Sequence, residues 1–174
     1  MNKTSILSIR IYEDEKNRLL AESQTKNMTV NSLGRQIISK HIAWHRHTKD
    51  MGYTCVTKSL LKTLFANTDT NIMNEITANT HTTLKNTVLF IHGEINIGNV
   101  LSVLDIWLSA CNVSFRHFTD FHIEKYVVTH NMGKRFSEYI DVSLNSVLNE
   151  IRYITSNKTI EESRIIFEIE RVEK

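Results

Sequence analysis

Proline is absent from this chain of 174 residues, glycine occurs five times and cysteine twice. The missing proline, beside abundant Asn and Thr, reads as a compositional bias from which no function follows. Cys55 and Cys111 lie far apart and form no CxxC, which argues against a disulfide scaffold and for reduced thiols in a cytoplasm. No apolar run approaches the ~18 residues of a membrane span, and no signal peptide precedes the first apolar segment. A cytoplasmic protein without membrane contact is therefore expected. A glycine-rich phosphate loop, a nucleophile–base pair and paired carboxylates are also missing. Neither an enzyme nor a bound cofactor is expected.

What remains is ordinary in bulk and uneven in detail. Hydrophobic residues make up 41% of the chain and charged residues 23%, which suits one modest domain or two small ones. The net charge of +2 hides an asymmetry. Residues 1–50 hold nine Lys and Arg against five acids, whereas the rest holds 12 against 14. A basic head on a slightly acidic body fits binding of a polyanion.

The head opens with TSILSIRIYEDEKNRLL (4–20). Leu7, Ile9 and Ile11 alternate with Ile6, Ser8 and Arg10, which predicts a β-strand. Glu13-Asp14-Glu15 then predicts the first turn of a polar helix over 13–26, where acids complement the helix dipole. Asn27 suits the left-handed stop position. In MTVNSLGRQIISKHIAWH, Thr29 or Asn31 can cap a second helix, and Leu33, Ile37, Ile38 and Ile42 recur at helical spacing. A unit this short buries too little apolar surface to stand alone, and one strand leaves its backbone groups unpaired. A second copy related by a two-fold axis would supply the missing strand, giving an antiparallel ribbon over four interlocked helices.

On the strength of SIRIYEDEKNRL and TVNSLGRQII, residues 4 to 45 resemble the ribbon–helix–helix DNA-binding family of Arc and MetJ type. The resemblance implies a homodimer whose ribbon enters the major groove of double-stranded DNA and regulates transcription. It implies that Ile6, Ser8 and Arg10 face the bases, Arg10 as the main reader because guanidinium pairs bidentately with guanine O6 and N7. Leu7, Ile9 and Ile11 would face the helices. The start of the second helix, Thr29, Val30, Asn31 and Ser32, would aim free amides at a phosphate, with Arg35 and Lys3 as further phosphate contacts. Tyr12, where the family has proline, and Glu15 and Glu22, at places more often apolar, depart from the pattern. So does Gly34, inside the second helix at a cost of ~1 kcal/mol relative to alanine.

Beyond a connector over 44–57 with a turn at Gly52, KSLLKTLFAN and NIMNEITANT predict two short helices. From residue 87 the pattern predicts a strand at 88–92 (VLFIH), a helix at 98–111, strands at 113–118 and 122–130 around a Thr119–Asp120 turn, a helix at 133–154 and a strand at 164–172. That order, βαββαβ, is the split βαβ of a ferredoxin-like domain. The expected fold class is thus α+β. A ribbon–helix–helix domain (1–47), a linker with a helical pair (48–86) and a ferredoxin-like dimerisation or sensor domain (87–174) make up the chain, and dimers could pair into tetramers. The layout resembles that of the nickel-responsive regulators. It is also similar to archaeal proteins of unknown activity that share such a head and an H-x-x-G-x-x-W/F-S stretch, here His130, Gly133, Phe136 and Ser137.

Three features could carry chemistry. His41 and His45 are spaced to share a helix face, with His47 just beyond, but histidines near a helix C-terminus are also favoured by the dipole. His92, Cys111, His117, His122 and His130 could gather as a sensor site, although no tight ligand spacing joins them; the expectation is no metal. Lys134 and Arg135 fall in a helix's first turn, where a bound anion would offset their misplaced charge and plain solvation would do the same. Two alternatives to simple DNA-binding regulation remain: an antitoxin-like autorepressor whose second part binds a toxin, and a metal-responsive regulator.

Overall fold

The computed structural model describes residues 5–172, and the chain divides into two compact units, Met1–Arg46 and His47–Lys174. In the first unit, residues 5–12 join no strand pair, so the ribbon is not formed within one chain. Helix α1 (Glu13–Thr25) begins where the Glu15 carboxylate accepts a hydrogen bond from the Tyr12 amide at 2.9 Å. The acid that departs from the family pattern thus caps the helix. Glu22, the other acid at such a place, pairs with Lys26 one turn on. Asn27 takes φ 51° and stops the helix as expected, its left-handed backbone being one that asparagine tolerates. Helix α2 (Val30–Lys40) follows, capped by Thr29, whose hydroxyl accepts from the Ser32 amide at 3.1 Å. A π turn (His41–His45) extends it.

The second unit holds helices α3 (Lys58–Ala66), α4 (Thr70–His92) and α5 (Ile97–Ala110), then strands β1 (Ser114–Asp120) and β2 (Ile123–Thr129). Helix α6 (Lys134–Leu148) and strands β3 (Tyr153–Ile160) and β4 (Arg164–Arg171) complete it. The sheet is antiparallel throughout, in the order β1-β2-β4-β3, so α6 links two hairpins. Tyr126, Val128, Ile165, Phe167 and Ile169 bury one sheet face in a core shared with Phe136, Ile140, Leu144 and Val147 of α6 and Val100, Leu104 and Leu108 of α5. Phe65, Met73 and Val88 place α3 and α4 in the same core. Among the described residues no single helix is long and apolar enough to cross a membrane.

The α+β class is observed, but the βαββαβ order is not. Residues 88–92 are the last turns of α4 rather than a strand. Met73, Ile76, Leu84, Val88 and Ile91 form one helical stripe, interrupted by threonines whose hydroxyls bond back to the preceding turn. Thr77 reaches Met73 O at 3.0 Å, Thr80 reaches Ile76 O at 2.8 Å and Thr87 reaches Thr83 O at 2.8 Å. Gly93, at φ 80°, ends the helix. Conversely, 153–160 is a strand where helix was expected to run to 154. Helix α6 gives way to a 3-10 turn (Asn149–Ile151) that stops at Arg152, φ 61°, and the strand's polar sequence is held by a side-chain clamp. Thr155 donates its amide to Asn145 Oδ1 at 2.8 Å and its hydroxyl to Asp141 Oδ1 at 2.6 Å. Lys158 completes the clamp on Asp141 Oδ2 at 2.8 Å. The first hairpin turns at Phe121–His122, two residues later than expected.

Candidate nucleic-acid interface

Of the residues singled out for DNA, Lys3 lies outside the described residues. Ile6, Ser8 and Arg10 are exposed in the segment ahead of α1, Ile6 at 97%. Leu7, Ile9 and Ile11 are exposed as well, at 71%, 62% and 45%. One chain therefore presents both faces of its leading segment to solvent. Leu20 of α1 and Ile37, Ile38 and Ile42, from α2 and its π turn, add to the uncovered apolar surface.

Charge in this unit is partly spent within α1. Lys16 faces Glu13 at 3.8 Å and Arg18 faces Asp14 at 3.6 Å, both on exposed side chains where such pairs contribute little to stability. Arg10, Arg35 and Lys40 make no ion pair among the described residues, and all three are exposed. Their charge is available to an outside anion. At the start of α2, the Ser32 amide is taken up by Thr29 Oγ1 and the two hydroxyls pair at 3.0 Å. Of the four amides expected to meet phosphate, those of Val30 and Asn31 fall in the first turn of α2, where a helix supplies no acceptor of its own.

Four of the groups considered for other chemistry, His117, His130, Lys134 and Arg135, are engaged within the second unit. Among the described residues, no group of three or more His, Cys, Asp and Glu is placed to hold a metal ion. His117 lies between two acids, Nδ1 at 3.2 Å from Asp105 and Nε2 at 2.7 Å from Glu124. Its ring stacks on Tyr126 with centroids 4.1 Å apart. Tyr126 donates its hydroxyl to Asp105 at 2.8 Å, and burial followed by the Asp105 charge pushes its phenol pKa well up.

His130 is buried, and its Nδ1 accepts from the Met132 amide at 3.0 Å. That fixes the ring proton on Nε2, which donates to Ser137 Oγ at 2.8 Å. Ser137 in turn donates to the Glu161 carbonyl at 2.7 Å. Burial, then the Lys58 charge, lowers the His130 pKa to about 4. Phe136 meets the ring edge-on at 5.0 Å, and Gly133, at φ 92°, bonds its amide to Glu162 O at 3.0 Å. The H-x-x-G-x-x-F-S stretch is thus a knot joining the end of β2, the start of α6 and the β3–β4 turn.

The anion imagined at Lys134 and Arg135 is internal. Glu162 accepts from the Lys134 amide at 3.1 Å, and Arg135 pairs with Glu138 at 3.2 Å. Sequence reasoning missed the Asp141–Asn145–Thr155 clamp. Its signal was Asp and Asn four apart on one face of the helix, a spacing at which side chains meet. No protein-family model matches the chain, and neither a curated protein nor a solved structure matches it.

Proposed function

We propose that the chain is a homodimeric, sequence-specific DNA-binding regulator of transcription. Two leading segments would mate as an antiparallel ribbon that enters the major groove, in the manner of a ribbon–helix–helix protein. The observation that supports this most is the exposure of Leu7, Ile9 and Ile11 in an unpaired segment beside two helices with further bare apolar residues. Apolar surface and backbone groups both call for a partner there, and an identical strand meets both needs. In that arrangement Ser8 and Arg10 face the bases, and Arg35 with the Val30 and Asn31 amides faces the backbone. Thr29 and Ser32 would lie at the same edge. A cytoplasmic setting, with reduced cysteines, suits the role.

Two measurements on the full chain test the proposal together. Sedimentation should give a dimer, and a gel shift with the DNA upstream of the chain's own gene should give a complex that scrambled duplex of equal length competes for poorly. Affinity should fall steeply with salt, because phosphate contacts release counterions. A monomer at micromolar concentration, or equal competition by scrambled DNA, would overturn it.

A further inference from the structure

In the second unit, α4, α5 and α6 do not close on one another completely. They leave a cavity of about 320 Å³, within the range of small-molecule sites. Ile76 and Leu84 of α4, Trp107 of α5 and Ile140 of α6 form its apolar wall. Polar side chains, Asn79, Thr80, Tyr139 and Ser143 among them, also line it, and no residue lining it is ionised at neutral pH. Tyr139 stays a neutral phenol because burial raises its pKa, and its hydroxyl pairs with Thr80 Oγ1 at 3.1 Å.

Ser143 is the informative residue. It is 5% exposed, and its hydroxyl, although it lies close enough to interact with the Tyr139 phenol, meets no partner in hydrogen-bonding geometry. A buried hydroxyl left unsatisfied is destabilising, and a few polar groups set in an apolar wall are how ligand sites fix orientation. A charged guest would have to shed its hydration with no counter-charge to meet it.

We propose that this cavity binds one uncharged, mostly apolar small molecule of about ten to fifteen non-hydrogen atoms, carrying a hydroxyl that bonds to Ser143. The site stands on the second unit alone, so it survives or fails independently of DNA binding.

The test uses the full chain and three probes of one shape: α-naphthol, naphthalene and α-naphthalenesulfonate. Calorimetry or equilibrium dialysis should show one saturable α-naphthol site per chain, and the sulfonate should bind at least about tenfold more weakly. Ser143→Leu, which fills the space, should weaken α-naphthol by at least about tenfold with the melting transition retained. The milder Ser143→Ala should weaken α-naphthol several-fold and leave naphthalene unchanged, which serves if the leucine variant fails to fold. No saturable site, equal binding of the sulfonate, or an α-naphthol affinity indifferent to both substitutions would overturn the proposal. So would binding that disappears as protein concentration rises, since a second copy would then occupy the cavity.

Discussion

Ile9→Ala and Ile6→Ala, compared side by side, separate a mated ribbon from a merely greasy surface. Isoleucine to alanine removes three carbon groups, worth about 0.8 kcal/mol each when fully buried. Ile9 is 62% exposed in the single chain, so a dimer that covers it gains about 1.5 kcal/mol per chain from those atoms, or about 3 kcal/mol per dimer. Losing that should raise the dimer dissociation constant by roughly a hundredfold. Ile6 is 97% exposed, so non-specific association through bare apolar residues would make Ile6→Ala the more damaging change. The alternation of a ribbon gives the opposite ranking, because Ile6 then points away from the helices toward the groove. Sedimentation equilibrium over a concentration series reads both constants. Ile6→Ala equal to or worse than Ile9→Ala would refute the reasoning, as would an unchanged Ile9→Ala.

Arg10→Ala should cost about 1–3 kcal/mol of discrimination between cognate and scrambled DNA while the protein remains dimeric, measured by competition gel shift. Undiminished discrimination would remove Arg10 as base reader. Arg35→Ala should instead weaken all duplexes alike and flatten the salt dependence. Thr155→Val should destabilise the second unit by about 1–3 kcal/mol, since Asp141 and Asn145 lose a buried partner, and hydrogen exchange should quicken first in β3. His130 should make the fold acid-labile. Its folded pKa of about 4 lies below its ordinary value of 6.5, so the unfolded chain takes up the proton first as pH falls. Stability from this group is complete above pH 6.5 and declines by up to about 3 kcal/mol on the way down to pH 4. Melting curves at several pH values should show the loss, and His130→Gln should flatten it.

The parts of the fold that could be read from sequence are those where one interaction dominates. Helix α6 and strand β4 are legible because apolar residues recur at one period and bury one face. The stop at Asn27 is legible because a left-handed backbone selects for few residues. Helix α4 hides its length because Thr77, Thr80 and Thr87 interrupt its apolar stripe. They read as breaks until their hydroxyls are seen bonding to the turn before. The terminal VLFIH then looks like a strand, since a short apolar run fits either state. Strand β3 was invisible for the converse reason: its inward residue Thr155 is satisfied by Asp141 and Asn145, ten or more residues upstream. Polar pairing over that distance leaves no periodic trace. In the head, Ser8 and Arg10 are exposed, but so are Leu7, Ile9 and Ile11, so a single chain does not separate the two faces of the segment; the Ser32 amide is already occupied by its own cap.

The two units differ in how much apolar surface one chain covers, and this has a thermodynamic consequence. The second unit buries its helical stripe and one sheet face within one chain, although Leu64, Phe90, Phe118 and Phe121 stay exposed at its surface. The first leaves Leu7, Ile9, Ile11, Ile37, Ile38 and Ile42 bare, with Leu33 the most deeply buried of its apolar residues. Its stability, if a second copy covers those residues, grows with protein concentration, because association favours the folded form by mass action. Dilution should therefore loosen α1 and α2 while β2 and β4 keep their protection. Hydrogen exchange measured at concentrations on either side of dimer dissociation would separate the two behaviours. Protection in α1 and α2 that ignores concentration would mean that the head holds together within one chain, and the case for a mated ribbon would fall with it.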